Sequence, residues 1–226
     1  MKLGPNIGRL DPAFNPFDQD YLVEIVDAVL TAWSRMNRPL RSESEDEITN
    51  RLAGRLLNDP LFDDLPYDVV PQSWLLGVDG QRLGRIDLRF KHRHSARDYF
   101  AFEAKRLHVT YPGGSFRREY GKYTADQGMM CFVVGKYSSG MTAGGMLAYV
   151  MDDDCLRAWK GIHRQIEARR MELLLAESST LAPSSLSQRT KNPVHDARLG
   201  DTHHQLDGRA LRILHLVLPI GLVVPT

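Results

Sequence analysis

The stretch YFAFEAKRL at residues 99–107, read together with GRIDLRF at residues 84–90, decides the fold of this chain. In residues 84–90 apolar and polar side chains alternate. In residues 99–107 a period of two puts Tyr99, Ala101, Glu103 and Lys105 on one face and Phe100, Phe102 and Ala104 on the other, so a β-strand is predicted in each stretch. Asp87, Glu103 and Lys105 lie inside these strands, where apolar residues are cheaper to bury. Because a buried charge is costly unless it is paired or binds a metal, the three residues predict a functional site.

Outward from these strands, the sequence predicts an α/β fold with a central mixed β-sheet flanked by α-helices. The predicted helices cover residues 18–36, 44–58, 116–136 and 153–176, and the predicted strands cover 67–77, 83–91, 99–107, 146–151 and 211–219. Either Ser42 or Ser44 can cap the second helix. We expect one domain over 1–226, with 1–17 as an extended lead-in and 178–200 as a flexible loop.

Composition sets limits on the function. The chain of 226 residues has 29 Lys plus Arg against 28 Asp plus Glu, so any nucleic-acid-binding surface must be local. Two cysteines, Cys131 and Cys155, are too few for a disulfide framework and are expected to be structural thiols in a reducing cytosol. The apolar segment 213–225 is short and contains proline and glycine, which favours a buried strand over a membrane anchor. We therefore expect a cytoplasmic protein without a membrane partner.

The residues of the two strands suit one chemistry. Period-two geometry puts Glu103 and Lys105 on one face, about 7 Å apart along the strand. If the preceding strand pairs with this one, Asp87 reaches the same point. Carboxylates hold Mg²⁺ or Mn²⁺, which activates water for phosphodiester hydrolysis, and the lysine can orient that water. The backbone carbonyl of Ala104 can complete the metal shell.

Asp87, fifteen intervening residues and then Glu103-Ala104-Lys105 resemble the (P)D…(D/E)xK signature of restriction-endonuclease-like nucleases, with Ile86 in place of the proline. The resemblance covers roughly residues 40–150. It implies a restriction-endonuclease-like core, Mg²⁺-dependent (or Mn²⁺-dependent) cleavage of DNA, with RNA not excluded, and a setting in restriction, repair or antiphage defence. A homodimer or a partner defence protein is compatible with this interpretation.

In such families a glutamate on the preceding helix often joins the metal site. Glu43, Glu45 and Glu47 compete for this role here. Glu45 lies three residues before Ile48 and seven before Leu52, in the middle of the apolar helix face, so we choose Glu45. Glu43 and Glu47 are expected to act only as first-turn charges favoured by the helix dipole.

Basic residues around the candidate site are predicted to bind the nucleic-acid backbone: Arg93, Arg97, Arg106, Arg117, Arg118 and Lys122. On the helix after the site, Gln127 is an accessory candidate that can approach the phosphate or the water. Tyr120 and Tyr123 are expected to be core or interface aromatics.

Other interpretations compete with the nuclease. Glu103 and Lys105 can form a structural salt bridge on an exposed strand face, with Asp87 paired to Arg85 or Arg89. A second alternative is a catalytically inactive restriction-like domain that acts as a nucleic-acid-binding or assembly module. A different α/β hydrolase lacks support, because the sequence has no GxSxG motif.

Eight histidines also invite a zinc hypothesis. His92 and His94 are two residues apart, and His203 and His204 are adjacent, but no cysteine or carboxylate completes a zinc pattern. These histidines are expected to be solvated loop residues, with His203 and His204 in a tail loop.

Overall fold

The computed structural model describes residues 19–93, 99–137, 141–191, 194 and 196–221. Its helices are α1 (Gln19–Arg35), α2 (Glu45–Leu57), α3 (Pro60–Asp63), α4 (Tyr120–Thr124), α5 (Met130–Val133) and α6 (Cys155–Ala168), with a 3₁₀ turn at Ser185–Gln188. Its strands are β1 (Tyr67–Leu76), β2 (Arg82–His92), β3 (Tyr99–Leu107), β4 (Val109–Thr110), β5 (Phe116–Arg117), β6 (Ala143–Val150), β7 (Ala182–Pro183), β8 (Arg198–Leu206) and β9 (Arg209–Pro219). The lead-in predicted over 1–17 lies outside the described residues.

Seven strands form one mixed sheet in the order β1-β2-β3-β6-β9-β8-β7, and helices flank it. The central strand β6 runs parallel to both β3 and β9, while the other pairs are antiparallel. All eight residues of β6 are buried, as expected for a parallel strand covered on both faces. The predicted α/β class with a mixed central sheet is confirmed.

Two apolar cores lie against the sheet. The first contains residues of α1 and α2, and in it Trp33 stacks on Tyr149 with ring centroids 5.2 Å apart. The second contains residues of α4, α5 and α6, among them Tyr123, Phe132 and Ile162. Helices that pack through apolar stripes therefore hold β3 between them. Cys131 and Cys155 are both free and buried, as predicted.

The helix predicted over 116–136 is wrong. This segment contains β5, then α4, a turn, and the separate helix α5. Gly128 explains the break, because a Cβ at this position would lie 2.2 Å from the carbonyl oxygen of Tyr123. The helix predicted over 153–176 is too long, since α6 ends at Ala168 and turns follow it.

The segment 178–200, predicted as a loop, contains β7, the 3₁₀ turn and the first residues of β8. His203 and His204 lie in β8 and not in a tail loop, so that prediction is also wrong. The strand was missed because its sequence, RLGDTHHQL, is polar. Its buried histidine and threonine side chains are hydrogen-bonded to each other, which removes the cost of burying them.

Strand β2 departs from simple alternation at the predicted site. Leu88 and Phe90 pack in the first core, as period two requires, but Ile86 packs in the second core. Gln72 lies opposite the break on β1 and has a φ of 48°. A residue in this left-handed conformation interrupts the pleat. The interruption therefore falls at Asp87, between Ile86 and Leu88.

Among the residues that the structure describes, we find no helix with both the length and the apolar character needed to cross a membrane.

Candidate active site

Strands β2 and β3 are antiparallel neighbours and bring the predicted carboxylates together. Leu88 pairs with Phe102, so the next step along the ladder puts Asp87 beside Glu103. The Oδ2 atom of Asp87 accepts a 2.8 Å hydrogen bond from the backbone N–H of Ala104. The neighbouring strands that the sequence predicted are therefore present.

Lys105 places its ammonium group among oxygen atoms. Its Nζ lies 2.8 Å from Oε1 of Glu103 and 3.0 Å from Oε1 of Glu45, and it also donates to the carbonyl oxygen of Ala104. The carboxylate of Glu103 and the carbonyl of Ala104 are two of the ligands that the sequence predicted for a metal. The ammonium group thus lies among oxygen atoms of the kind that a hard cation prefers.

The start of α2 explains how Glu45 reaches the site. Ser44 is the N-cap, and its side chain and that of Glu47 form a reciprocal capping box. The cap fixes the first turn, in which Glu45 is the first helical residue. Its Oε2 accepts a 3.0 Å hydrogen bond from the backbone N–H of Arg106, the residue after Lys105.

The other two glutamates of this segment have different partners. Glu43 forms an ion pair with Arg51 at 2.6 Å, and Glu47 belongs to the capping box. Of the three candidates, Glu45 is the one whose carboxylate contacts β3 directly. This is the choice that the apolar helix face favoured.

Burial makes the ionised forms of the carboxyl groups in this site unfavourable. It raises the pKa of Asp87 to about 6 and that of Glu103 to about 8. Burial lowers the pKa of Lys105, but Glu103, Glu45 and Asp87 outweigh it and hold this pKa above its usual range. The Oε2 atom of Glu103 is buried and has no hydrogen-bond partner among the described residues. The single ammonium group of Lys105 therefore does not fully neutralise the three carboxylates of Glu45, Asp87 and Glu103.

The structure agrees only in part with the alternative of a structural salt bridge on an exposed strand face. Glu103 and Lys105 do form an ion pair, but their exposed fractions are 4% and 8%, so the pair is not on an exposed strand face. Arg85 pairs with Asp46 and not with Asp87. Asp87 is instead held by the backbone of β3.

The site opens onto a surface cleft of about 610 Å³, here called the β3 cleft. The residues that line it come from the start of α2, the end of β3, and α4 with the turn that follows: Ser44, Glu45, Asp46, Lys105, Arg106, Lys122, Ala125, Asp126 and Gln127. Gln127, the accessory candidate, is among them. The lining carries three acidic and three basic side chains, so the cleft is mixed in charge and not the basic setting that was expected.

The predicted nucleic-acid-binding residues do not form one patch. Arg106 and Lys122 line the β3 cleft, and Arg117 and Arg118 are exposed on and after β5. Arg93 lies just beyond β2, where it pairs with Asp68, six residues from Asp87 and roughly 20 Å along an extended chain. The structure does not bring Arg93 to the cleft. Arg97 lies outside the described residues.

One cluster beside the site had no signal in the sequence. His108 follows β3 directly, and its ring nitrogens lie 2.6 Å from Oδ1 of Asp152 and 2.7 Å from the hydroxyl of Tyr120. Its side chain is fully buried. The cluster ties the end of β3 to α4 and to the segment after β6. Partners 12 and 44 residues away cannot be paired from the sequence alone.

The other histidines correct the expectation of solvated loop residues. His92 is buried in β2 against the ring of Tyr67, and His204 is buried in β8. His203 is exposed, and His94 lies outside the described residues. Within the described part of the chain, no three His, Cys, Asp or Glu side chains are grouped as metal ligands, so neither zinc nor a three-carboxylate metal set is shown.

Comparison of the chain with protein-family models, with curated proteins and with solved structures found no match.

Proposed function

We propose that this chain is a metal-dependent nuclease that hydrolyses phosphodiester bonds of DNA, and that its sheet and helices form a restriction-endonuclease-like core. The observation that carries the proposal is the convergence of the buried residues Asp87, Glu103 and Lys105, of which Lys105 reaches the wall of an open cleft. Buried groups with strongly shifted pKa values in a cleft are typical of catalytic sites. Restriction, repair and antiphage defence are settings suggested by the sequence resemblance alone.

The residues fit a divalent cation. Oε2 of Glu103 lacks a partner, and burial raises the pKa of both Asp87 and Glu103, so additional positive charge would stabilise their ionised forms. Asp87, Glu103 and the carbonyl of Ala104 would hold Mg²⁺ or Mn²⁺, which prefer such oxygen ligands. When bound, the metal would lower the pKa of a coordinated water and neutralise charge that develops on the phosphate.

The chain's own residues supply the remaining chemistry. Lys105 lies at the cleft wall, and its three N–H groups are bonded to Glu45, Glu103 and the carbonyl of Ala104. It would donate to the attacking water and to the scissile phosphate by exchanging its bonds to Glu103 and Ala104 for them. Glu45 holds Lys105 in place and presents a carboxylate that can orient the water. Arg106, Lys122 and Gln127 line the same cleft, where they can contact the phosphates that flank the cleaved bond.

One observation favours the second candidate, an inactive nucleic-acid-binding or assembly module. Lys105 is already paired with both Glu45 and Glu103, so the cluster can act as a structural ion network. A module of this kind would bind no divalent metal at Glu103. Titration with Mn²⁺ therefore separates the two candidates.

Cleavage assays on plasmid DNA, single-stranded DNA and RNA, each with Mg²⁺ and with Mn²⁺, test the proposal. Asp87→Asn, Glu103→Gln and Lys105→Arg should each lose at least about 100-fold in rate while remaining folded by circular dichroism. Asp126→Asn is the matched control, because this carboxylate lines the same cleft but is exposed. Equal rates in all variants, or no cleavage of any substrate by the wild type, would refute the proposal.

A further inference from the structure

A second cleft, of about 590 Å³, lies on the outer face of α6 and has no assigned role. We call it the α6 cleft. Five of its lining residues come from α6 and one from the start of β8: Leu156, Trp159, Lys160, His163, Arg164 and Arg198. None of these six residues is acidic, whereas acidic residues line the β3 cleft.

Three cations of the α6 cleft form no ion pair within the described part of the chain. Lys160, Arg164 and Arg198 have no ion-pair partner among the described residues. Other arginines of the same helix region do have partners, for example Arg157 with Asp152 and Arg170 with Glu167. Because the surrounding cations are paired, the three free cations of this cleft give a local positive potential that favours an anionic ligand.

Trp159 adds an aromatic surface to these cations. Its indole is half-buried, and its edge lies against Gly200 of β8, where a Cβ would come within 2.2 Å of Cη2. The glycine thus provides the space that seats the ring, and packing against β8 restrains it. A restrained, partly exposed aromatic ring beside cations is the usual arrangement for stacking the bases of an unpaired strand.

The basic surface continues toward the β3 cleft. Burial raises the pKa of Tyr120, and the charges of Arg118, Arg157 and Arg164 oppose this rise, so these arginines lie around the start of α4. Arg157 is paired with Asp152, which leaves Arg118 and Arg164 as the cations without an ion-pair partner among the described residues there. The ring of Tyr120 also lies on α6, where Gly161 leaves room for it. Cations near Tyr120 therefore connect the α6 cleft with the helix that carries Lys122.

We propose that the α6 cleft binds single-stranded nucleic acid, with phosphates contacting Lys160, Arg164 and Arg198 and an unpaired base stacking on Trp159. This inference rests on the proposed function, because the bound strand would continue from the β3 cleft. A single strand fits better than a duplex, since bases inside a duplex are covered by their neighbours. It also fits better than a free nucleotide, because the cations extend beyond the cleft to Arg118.

Fluorescence anisotropy of a labelled oligothymidylate, with the full chain in EDTA, tests the inference without any cleavage. Arg164→Glu and Arg198→Glu should each weaken binding at least about tenfold and reduce the slope of log K against log salt by about 0.7 per lost contact. Trp159→Leu should weaken binding, and Trp159→Phe should restore most of it. Arg55→Glu on α2 is the matched control, because this exposed arginine lies on a helix of the other core.

Several results would overturn the inference. One is that Arg164→Glu and Arg198→Glu bind as Arg55→Glu does. A duplex that binds more tightly through these residues, or binding of mononucleotides but not of the strand, would also contradict it. The two proposals are tested separately, because binding is measured in EDTA and does not require cleavage. If strand binding depends on Arg164 but the protein cleaves no substrate, the binding role of the α6 cleft stands and the nuclease proposal is rejected.

Discussion

The residue that shapes the candidate site most is Lys105, whose ammonium group lies between the carboxylates of Glu45 and Glu103. Glu103 is almost fully buried and has one oxygen without a partner. Removing the cation and removing one anion should therefore have different effects on stability. The first leaves buried negative charge without compensation, while the second relieves repulsion between carboxylates.

We predict that Lys105→Met lowers the free energy of unfolding by about 3 kcal/mol, because it breaks a buried ion pair. Glu103→Gln should leave this free energy unchanged or raise it by about 1 kcal/mol, because glutamine keeps the shape and removes a charge. Urea unfolding at pH 9 in EDTA measures both, because the pKa of Glu103 is about 8 and its carboxylate is ionised at pH 9. A loss in Glu103→Gln as large as that in Lys105→Met would show that the cluster is a structural ion network.

At this scale the sequence predicted which residues meet but not all of their partners. Asp87, Glu103 and Lys105 could be predicted to converge, because strand parity and the pairing of successive strands are local properties. The choice of Glu45 followed from the helix period. The pairing of Arg85 with Asp46 could not be predicted, since it depends on where α2 crosses the sheet.

At the scale of elements, the cap of α2 links local sequence to the site. Ser44 accepts a hydrogen bond from the backbone of Glu47, and Glu45 follows the cap directly. A weaker cap should loosen the first turn and with it the contact of Glu45 with Lys105.

Ser44→Ala should lower the free energy of unfolding by about 1 kcal/mol, because it removes an acceptor for an otherwise unpaired backbone N–H. Ser42→Ala is the control, because Ser42 is an exposed turn residue that the sequence left open as an alternative cap. Chemical denaturation of both variants measures the difference. Equal stabilities of the two variants would contradict the capping role.

Helices and strands could be predicted where the apolar residues keep one periodicity throughout the element. They were missed where tertiary packing interrupts the element. Strand β3 has the predicted bounds, because a period of two assigns its residues from Tyr99 to Lys105 to the two faces of the sheet. The segment from Phe116 to Lys136 contains apolar residues that suit a helix. The close approach of Gly128 to the backbone of Tyr123 nevertheless divides it into two short helices, and such a tertiary contact has no local signal.

At the scale of the whole molecule, a buried hydrogen-bond chain joins α4 to the far strands of the sheet. His204 Nδ1 donates to the carbonyl of Leu173, so its Nε2 accepts from the hydroxyl of Thr202. That hydroxyl then accepts from Nε2 of His215, whose Nδ1 accepts from the hydroxyl of Tyr123. Each group is satisfied with both histidines neutral.

The two buried histidines of this hydrogen-bond chain determine how the free energy of unfolding depends on pH. Burial lowers the pKa of His215 to about 3 and that of His204 to about 4, whereas both take up protons near 6.5 when unfolded. The unfolded state therefore binds more protons below pH 6.5. The stability contributed by neutral burial is complete above this pH and is lost as pH falls toward the folded pKa values, by about 1.4 kcal/mol per pH unit for each histidine.

His215→Gln should reduce the decrease in unfolding free energy between pH 6.5 and pH 5 by about 1 to 2 kcal/mol relative to the wild type. His203→Gln is the control, because this neighbouring histidine is exposed. Urea unfolding at several pH values measures the slopes. If His215→Gln retains the wild-type slope, His215 is not buried in its neutral form.

This buried chain of hydrogen bonds also explains why the sequence did not predict every strand of the sheet. The α/β class followed from the order of apolar segments. Strand β8 was missed because several of its buried residues, such as Thr202 and His204, are polar. Burial of such residues depends on partners from β9, α4 and the segment after α6. Only the assembled fold brings those partners together.

The central claim is that Asp87, Glu103 and Lys105 form a metal-dependent phosphodiesterase site. The rate of cleavage of a labelled single-stranded DNA against Mn²⁺ concentration, for the wild type and Glu103→Gln in parallel, tests it most directly. We predict a saturable rate for the wild type that EDTA abolishes, and a rate at least about 100-fold lower for Glu103→Gln at every concentration. Identical curves for the two proteins, or no cleavage by the wild type at any concentration, would contradict the claim.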